Sequence, residues 1–450
     1  MTTNEKLIII GGGLAGCEAA WQAAQRGVQV ILYEMRPLKN TGAHVSPNLA
    51  ELVCSNSLGS ERIDRASGLL LQELITLKSM LIECALLAKL PAGRALAVDR
   101  NKFSELVTEK IENHPNIQVV RQEITAIPQQ VCIIASGPLT SPALSEAIAE
   151  FTGQSNLFFY DAIAPIVFKD SINFDIAFRA SRYQEESSDY INCPLTKEEY
   201  ETFVTELVNA ERISIKNFEN AMMQGVTSGK DRFFEACLPI EVLAQRGVDS
   251  LAFGPLRPTG LRDPRNGKRP YAVVQLRQDN IAGTLYNMVG FQTNLTFPEQ
   301  KRVFRLIPGL ENAEFARYGQ MHRNTFLYAP DILLPTLQTK KRGDLFFAGQ
   351  IIGVEGYLGN IASGLLAGIN AALYLTGEEP LVLPRETMLG SLIYYITHAK
   401  AQDFQPMKAN YGLLIDIEEH QKIPKQVRNL QFAEKSQQAL STIKENIIGS

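Results

Sequence analysis

The most constraining feature lies in the first forty residues. Leu7-Ile8-Ile9-Ile10 is a short unbroken apolar run, the pattern of a strand buried on both faces of a parallel sheet. Gly11-Gly12-Gly13-Leu14-Ala15-Gly16 follows at once. Cys17 to Arg26 reads as an alanine-rich helix stopped by Gly27, and Val28 to Tyr33 reads as a second strand closed by Glu34. This is a βαβ unit with Gly-x-Gly-x-x-Gly at its turn, and an acid 23 positions after Gly11, near the spacing of about 20 for a ribose contact. Gly11 permits the tight turn, Gly13 lets the backbone approach a pyrophosphate, and Gly16 lets the helix pack against the strand. The helix start, including Leu14 and Ala15, offers free N–H groups and the positive end of the helix dipole. Gly12 completes the turn, and Glu34 is the candidate ribose acceptor.

Two later segments belong with this unit. Val131 to Pro138 reads as a buried strand ending in a small-residue turn that contains Gly137. Asp344 to Gln350 reads as a strand running into Gly349. A glycine-rich loop over 353–360 and an Ala/Leu/Gly-rich helix from Ile361 to Leu375 follow. A second dinucleotide fingerprint is not visible. The strand, glycine and helix after 344 look like the second half of an FAD fold, where the helix start faces the pyrimidine end of the flavin. The expected architecture is α/β: a Rossmann-like FAD-binding domain of glutathione-reductase type, interrupted by a smaller α/β insertion domain. The boundaries read as 1–162 and 325–450 for the two parts of the FAD-binding domain, and 163–324 for the insertion.

Charge separates the insertion into two stretches. The whole chain carries 44 basic and 48 acidic residues, net −4. That total argues against a chain coated by nucleic acid or anionic lipid. Residues 163–245 hold 8 basic and 14 acidic residues, whereas 246–277 hold 7 basic and 2 acidic. Arg257, Arg262, Arg265, Lys268 and Arg269 lie in a loop-like stretch with Pro and Gly between them. This run is the candidate for phosphate contact, with a solvated surface as the plain alternative.

Six cysteines are scattered at 17, 54, 84, 132, 193 and 237, without a Cys-x-x-Cys pair. Neither a disulfide framework nor a zinc site is expected. The start shows no signal-peptide pattern, and no run of about 18 apolar residues is apparent. The expected setting is cytoplasmic, without membrane or metal.

Several motifs carry a family resemblance. Gly-Gly-Gly-Leu-Ala-Gly-Cys-Glu-Ala-Ala (11–20) and Ala-Gly-Gln-Ile-Ile-Gly-Val-Glu-Gly-Tyr (348–357) resemble the flavoproteins that modify uridine in tRNA. Four further motifs narrow this: Glu-Leu-Val-Cys-Ser-Asn-Ser-Leu (51–58), Tyr-Ile-Asn-Cys-Pro-Leu (190–195), Phe-Phe-Glu-Ala-Cys-Leu-Pro-Ile-Glu (233–241) and Phe-Gly-Pro-Leu-Arg-Pro-Thr-Gly-Leu (253–261). Together they resemble the folate- and FAD-dependent tRNA uracil-5-methyltransferase family, over nearly the whole chain. The resemblance implies FAD as cofactor, methylenetetrahydrofolate and NAD(P)H as co-substrates, and the T-loop uridine of tRNA as target. It implies that Cys237 is the uracil nucleophile and that Cys54 sits at the flavin. It places Arg100, Gly137, Gly349, Gln350 and Tyr357 among the cofactor contacts; Gln350 stands where many FAD enzymes carry an acid.

Carbon five of uracil is a poor nucleophile, and thiolate addition to carbon six makes it an enolate carbon. The chemistry therefore needs at least one activated thiol and a base. Cys17, Cys84, Cys132 and Cys193 read as packing residues. Asp99-Arg100 reads either as a flavin contact or as a helix cap through Asp99. His44 is a candidate proton carrier. Wobble-uridine enzymes share the FAD motifs but carry a large helical C-terminal domain, whereas this chain ends 93 residues after Tyr357. Ribosomal RNA as target, a non-catalytic flavin- and RNA-binding protein, and a small-molecule flavin oxidoreductase remain as alternatives.

Overall fold

The computed structural model describes residues 5–154, 157–182, 188–213, 238–400, 404–414 and 423–448. The opening unit is strand β1 (Leu7–Ile10), helix α1 (Leu14–Ala24) and strand β2 (Val30–Glu34). Helix α1 starts at Leu14, three residues before the expected Cys17, because Gly13 serves as its N-cap. Five parallel strands form the first sheet, in the order Leu345–Phe347, Cys132–Ile134, β1, β2, Ile117–Arg121. Both edge strands of this sheet, and the Cys132–Ile134 neighbour of β1, thus arrive from distant parts of the sequence. The carboxyl ends of β1 and of the Cys132–Ile134 strand lie side by side, and the glycine turns follow both.

Helix α2 (Tyr357–Thr376) lies against α1. Small residues set the spacing: a Cβ on Gly364 would lie 2.2 Å from the Ala15 carbonyl oxygen, and one on Gly368 2.4 Å from that of Ala19. This helix begins at Tyr357 rather than at the expected Ile361, because Gly356 takes the N-cap with φ +83°. By length and mean hydropathy α2 would qualify to cross a membrane, contrary to the reading that no run does. Its burial between α1 and the first sheet's core accounts for that apolar composition.

A second sheet has six strands, all antiparallel, in the order Phe178–Arg179, Tyr190–Leu195, Ala272–Gln278, Leu285–Met288, Ile166–Phe168, Phe315–Arg317. It has its own apolar core, including Tyr200, Phe203, Phe291 and Phe304. The chain leaves the first core along Leu157–Ala162 and returns along Met321–Phe326, and these two segments pair antiparallel. A small sheet of Ser57–Ser60, Ala95–Val98 and Lys89–Leu90 follows the Cys54 loop.

Candidate functional site

A long cleft opens at the carboxyl ends of β1 and β2. One cavity runs from Glu34 and Gln122 past Gly11, Gly13, Leu14 and Ala15 to Gly137, Gly349, Gln350 and Tyr357. A second contains Cys54, Ser57, Ser67, Asn324, Glu355 and Lys408. The two share Val53, Pro138, Leu139, Gln350, Tyr357 and Asn360, so they are two ends of one cleft.

At the first end the backbone itself is the binding surface. No side chain caps α1, and its first turn holds no acid. Its free N–H groups therefore face the cleft with a positive dipole end. A Cβ on Gly13 would meet nothing within 4 Å, whereas one on Gly16 would lie 1.8 Å from the Gly11 carbonyl oxygen. Gly13 thus faces open space and Gly16 makes the close helix–strand contact. Gly12 lies beneath the surface and donates its N–H to Glu34 Oε2 at 3.0 Å.

Glu34 is more occupied than the sequence suggests. Its Oε1 accepts from the Arg36 N–H (2.9 Å) and Arg36 Nε (3.0 Å), and its Oε2 from Gly12 and from Arg36 Nη2 (3.3 Å). Burial alone would push this carboxyl up, but the Arg36 hydrogen bonds and charge, with the Gly12 N–H, hold it below its usual range. All four acceptor directions of the carboxylate are in use. A ribose hydroxyl reaching Glu34 therefore displaces one bond from Arg36. Arg36 is 2% exposed and also pairs with Glu51 at 3.2 Å. The sequence reading missed it; a cation just past the β2 acid was the available signal.

Where the first cavity meets the second, Gly349 has φ +87° and donates its N–H to Ser363 Oγ at 2.9 Å. Gln350 donates to Glu355 Oε1 at 2.8 Å. No side chain caps α2. The Asn360 Oδ1 is buried without a hydrogen-bond partner, and Asn360 lines both halves of the cleft. Such an orphaned acceptor calls for a donor supplied by a bound molecule.

Tyr357 joins this end to the cysteine loop. Its hydroxyl accepts the N–H of Cys54 (2.9 Å) and of Ser55 (3.2 Å). Cys54 is half-buried, whereas Cys17, Cys84, Cys132 and Cys193 are fully buried. Burial pushes the Cys84 thiol up to about 12 and the other three higher still, so these four are inert. Cys237 lies outside the described residues.

Arg100 does not line the cleft. It is buried behind the cysteine loop, pairs with Asp279 at 3.1 Å, and donates to the carbonyls of Leu52 (2.8 Å) and Cys54 (3.2 Å). It positions the loop, since its Nε, Nη1 and Nη2 each spend a hydrogen bond on Asp279 or on those carbonyls. Asp99 caps the helix Arg100–Glu112 by accepting the Lys102 N–H, and accepts the Ile281 N–H at 2.7 Å. His44 lines the first cavity and its Nδ1 lies 2.6 Å from Thr41 Oγ1. Arg257, Arg262, Arg265, Lys268 and Arg269 are all exposed, away from the cleft lining. Arg265 is paired with Asp263 at 2.7 Å, so its charge is already met.

Comparison with known proteins fits this geometry. Residues 6–379 match the family model described as glucose inhibited division protein A. The methylenetetrahydrofolate--tRNA-(uracil-5-)-methyltransferase TrmFO of Enterococcus faecalis is 57% identical over 416 residues, 92% of this chain and 93% of that protein. The protein of the same name from Exiguobacterium sp. is 53% identical over 443 residues, 98% of this chain and 99% of its own length. The chain belongs to the TrmFO family. Its fold is also that of Aquifex aeolicus GidA, with a TM-score of 0.67 at 18% identity, covering 99% of this chain and 77% of that one. Within the TrmFO family frame, the glycine turn, the α2 start and the Cys54 loop are parts of one cleft.

Proposed function

We propose that this protein methylates carbon five of the T-loop uridine of tRNA, with methylenetetrahydrofolate as carbon donor, FAD bound along the cleft and NAD(P)H as the source of electrons. The observation that carries this reading is one continuous cleft with two uncapped helix starts at one end and Cys54 at the other. The relatives' names at 53–57% identity support the same activity. In this reading residues 1–162 and 325–450 hold the cofactor, residues 163–324 serve the RNA, and the setting is cytoplasmic.

The cleft suits FAD by its own features. The open space at Gly13, the free N–H groups of α1 and the orphaned Asn360 Oδ1 are places for a pyrophosphate and for a donor group. Gly11 to Ala15 would cradle the pyrophosphate, and the α2 start with Gly349 and Gln350 would face the flavin ring. When bound, FAD supplies two-electron reduction and carriage of the one-carbon unit.

The chain's own groups do the rest. Tyr357 fixes the Cys54 and Ser55 backbone at the boundary between the two halves of the cleft. The Cys237 thiolate adds to carbon six of uracil; a carbon–sulfur bond forms and the displaced electron pair makes carbon five nucleophilic. After carbon five has gained its new bond, a base removes its proton and the electron pair expels the thiolate. Exposed Arg257, Arg262, Lys268 and Arg269 hold RNA phosphates, and the target base is drawn out of its stack.

The test is incubation of the purified yellow protein with methylenetetrahydrofolate, NAD(P)H and an unmodified tRNA transcript, followed by nucleoside analysis. Methyluridine at the T-loop position, lost in Cys237→Ala, is the expected result. A product found only with ribosomal RNA, or full activity in Cys237→Ala, overturns the target or the nucleophile respectively.

A further inference from the structure

Behind the Cys54 loop the structure gathers more positive charge than it neutralises. Arg100 is paired with Asp279. Arg277, on the strand Ala272–Gln278, is 8% exposed and donates through Nε to Asn56 Oδ1 at 2.8 Å. Asn56, two residues after Cys54, is fully buried and donates to the carbonyls of Gln278 (2.8 Å) and Val98 (3.1 Å), so Arg277 is held against the cysteine loop. Arg317, at the end of the strand Phe315–Arg317, reaches the Ala43 carbonyl at 3.4 Å. Among the described residues no carboxylate forms an ion pair with Arg277 or Arg317.

The other charged and titratable groups facing the loop are accounted for. Glu51 is paired with Arg36, Asp99 caps a helix, and Glu355 accepts from Gln350. The Tyr190 hydroxyl donates to the Ala92 carbonyl and also meets the Arg277 side chain, the Tyr357 hydroxyl is engaged with backbone N–H groups, and Lys408, on the second cavity's wall, adds a further cation. A guanidinium stays protonated when buried, so its uncompensated charge must be met by a negative group within electrostatic reach. Burial is the chief influence and lowers the proton affinity of both guanidinium groups; acting the other way are Tyr190, Asp279 and then Cys54 at Arg277, and Tyr357, Cys54 and Glu51 at Arg317. Neither arginine lines either half of the cleft, so neither presents its N–H groups to a ligand there. Both act through their field.

We propose that Arg277 and Arg317 are positioning residues that hold Cys54 as a thiolate at neutral pH, its proton passing to solvent through the cleft. This rests on the reading that the cleft is the catalytic site. It gives the cysteine nearest the cofactor the charge state in which a thiol acts as nucleophile or proton acceptor.

The test is alkylation of Cys54 by iodoacetamide in the flavin-loaded protein between pH 5 and 10, with the modified peptide quantified by mass. The midpoint for wild type is expected below the ~8.5 of a free thiol. Arg277→Gln and Arg317→Gln are each expected to raise it by about one unit, and Arg277→Lys to restore it. The rate at pH 7 falls only about threefold, because a more basic thiolate is intrinsically more reactive, so the midpoint is the readout. Arg317 is held by one long contact, and Arg317→Gln serves if Arg277→Gln fails to fold. A wild-type midpoint at or above that of a free thiol, or one unmoved in both Gln variants, overturns the proposal. So does an unmoved midpoint with weakened folate binding, which would make the arginines ligands for a carboxylate. A shifted midpoint in a protein that methylates no RNA supports this proposal and sinks the function reading instead.

Discussion

Alanine at Gly13 and alanine at Gly16 are expected to separate cofactor binding from folding. Gly13 has φ −81° and ψ −168°, a backbone any residue adopts, and its added Cβ meets nothing within 4 Å. Alanine there lowers the entropy of the unfolded chain, worth about 0.4–1 kcal/mol, and gives back a similar amount as a poorer N-cap than glycine. The flavin-free protein should keep its melting temperature within about 1 °C, since unfolding 450 residues carries roughly 1 kcal/mol per kelvin of entropy. The new methyl nevertheless fills the space over the α1 start. Each N–H bond to a charged phosphate is worth about 1.5–3 kcal/mol, so each one lost weakens FAD about ten- to hundredfold. Gly16→Ala differs in kind. Its Cβ would lie 1.8 Å from the Gly11 oxygen, where ordinary contact begins at 3.4 Å, so helix and turn must part by the 1.6 Å difference. Overpacking of that sort costs about 1–3 kcal/mol and also spoils the cradle. Differential scanning fluorimetry of the flavin-stripped proteins and FAD titration by quenching of flavin fluorescence measure both effects. Wild-type FAD affinity in Gly13→Ala would refute the assignment of this turn to the pyrophosphate, and an undisturbed Gly16→Ala would refute the packing argument.

Three further outcomes are expected. Tyr357→Phe leaves the Cys54 and Ser55 N–H groups without their acceptor, at a cost near the lower end of about 1–3 kcal/mol because the site is partly wet, and hydrogen exchange should quicken at those two amides. Glu73, 1% exposed, accepts from the Met388 and Leu389 N–H groups and the Ser436 hydroxyl, and burial raises its carboxyl from 4.5 to about 7. Its native form therefore binds the proton more tightly than the unfolded chain, so stability falls as pH rises from about 4.5 towards 7, by about 3 kcal/mol for this group. The difference in melting temperature between wild type and Glu73→Gln should change across that window, and a constant difference would refute it. Neutralising Arg262, Arg265 and Arg269 together should flatten the salt dependence of tRNA binding by about two phosphates' worth, roughly 1.4–1.8 in slope, because Arg265 is already paired with Asp263. The Arg262/Arg269 double variant should match the triple, and an unchanged slope would place the RNA elsewhere.

The glycine turn was legible because it is local: strand, turn, helix and acid follow within thirty residues, and each glycine meets a requirement of its immediate neighbours. The start of α2 was not. Gly359 reads locally as loop, but contact with Val354 leaves no room for a Cβ there, just as Ala15 and Ala19 leave none at Gly364 and Gly368 in the helix that follows. Tertiary packing overrides propensity there. Arg277 counted in the sequence as one more cation of a basic surface stretch, yet it is buried among the strand's apolar residues. An arginine inside Val-Val-Gln-Leu-Arg was the available hint. The Tyr357 hydroxyl on the Cys54 N–H joins residues 303 positions apart, and no periodicity reports such a pair.

The second sheet does more than present a basic surface. The Cys54–Asn56 segment is held from three directions: by Tyr357 from α2, by Arg100 from behind, and by Arg277 and the Gln278 carbonyl from the strand Ala272–Gln278. That strand begins three residues after Arg269, the last cation of the exposed loop. The proposed phosphate contacts at one end of this stretch and the hydrogen bonds that place Cys54 at the other therefore share a backbone. The first sheet alone can cradle a nucleotide, since its glycine turn needs no residue from the insertion. The cysteine loop cannot be placed without the second sheet, because Asn56 spends both amide hydrogens and its oxygen on securing that seam. A chain that kept the dinucleotide unit but lost the seating of the second sheet would retain flavin and lose the geometry around Cys54. On the proposed reading, cofactor binding and RNA chemistry are separable in this fold, and the seam at Asn56 is where they are joined.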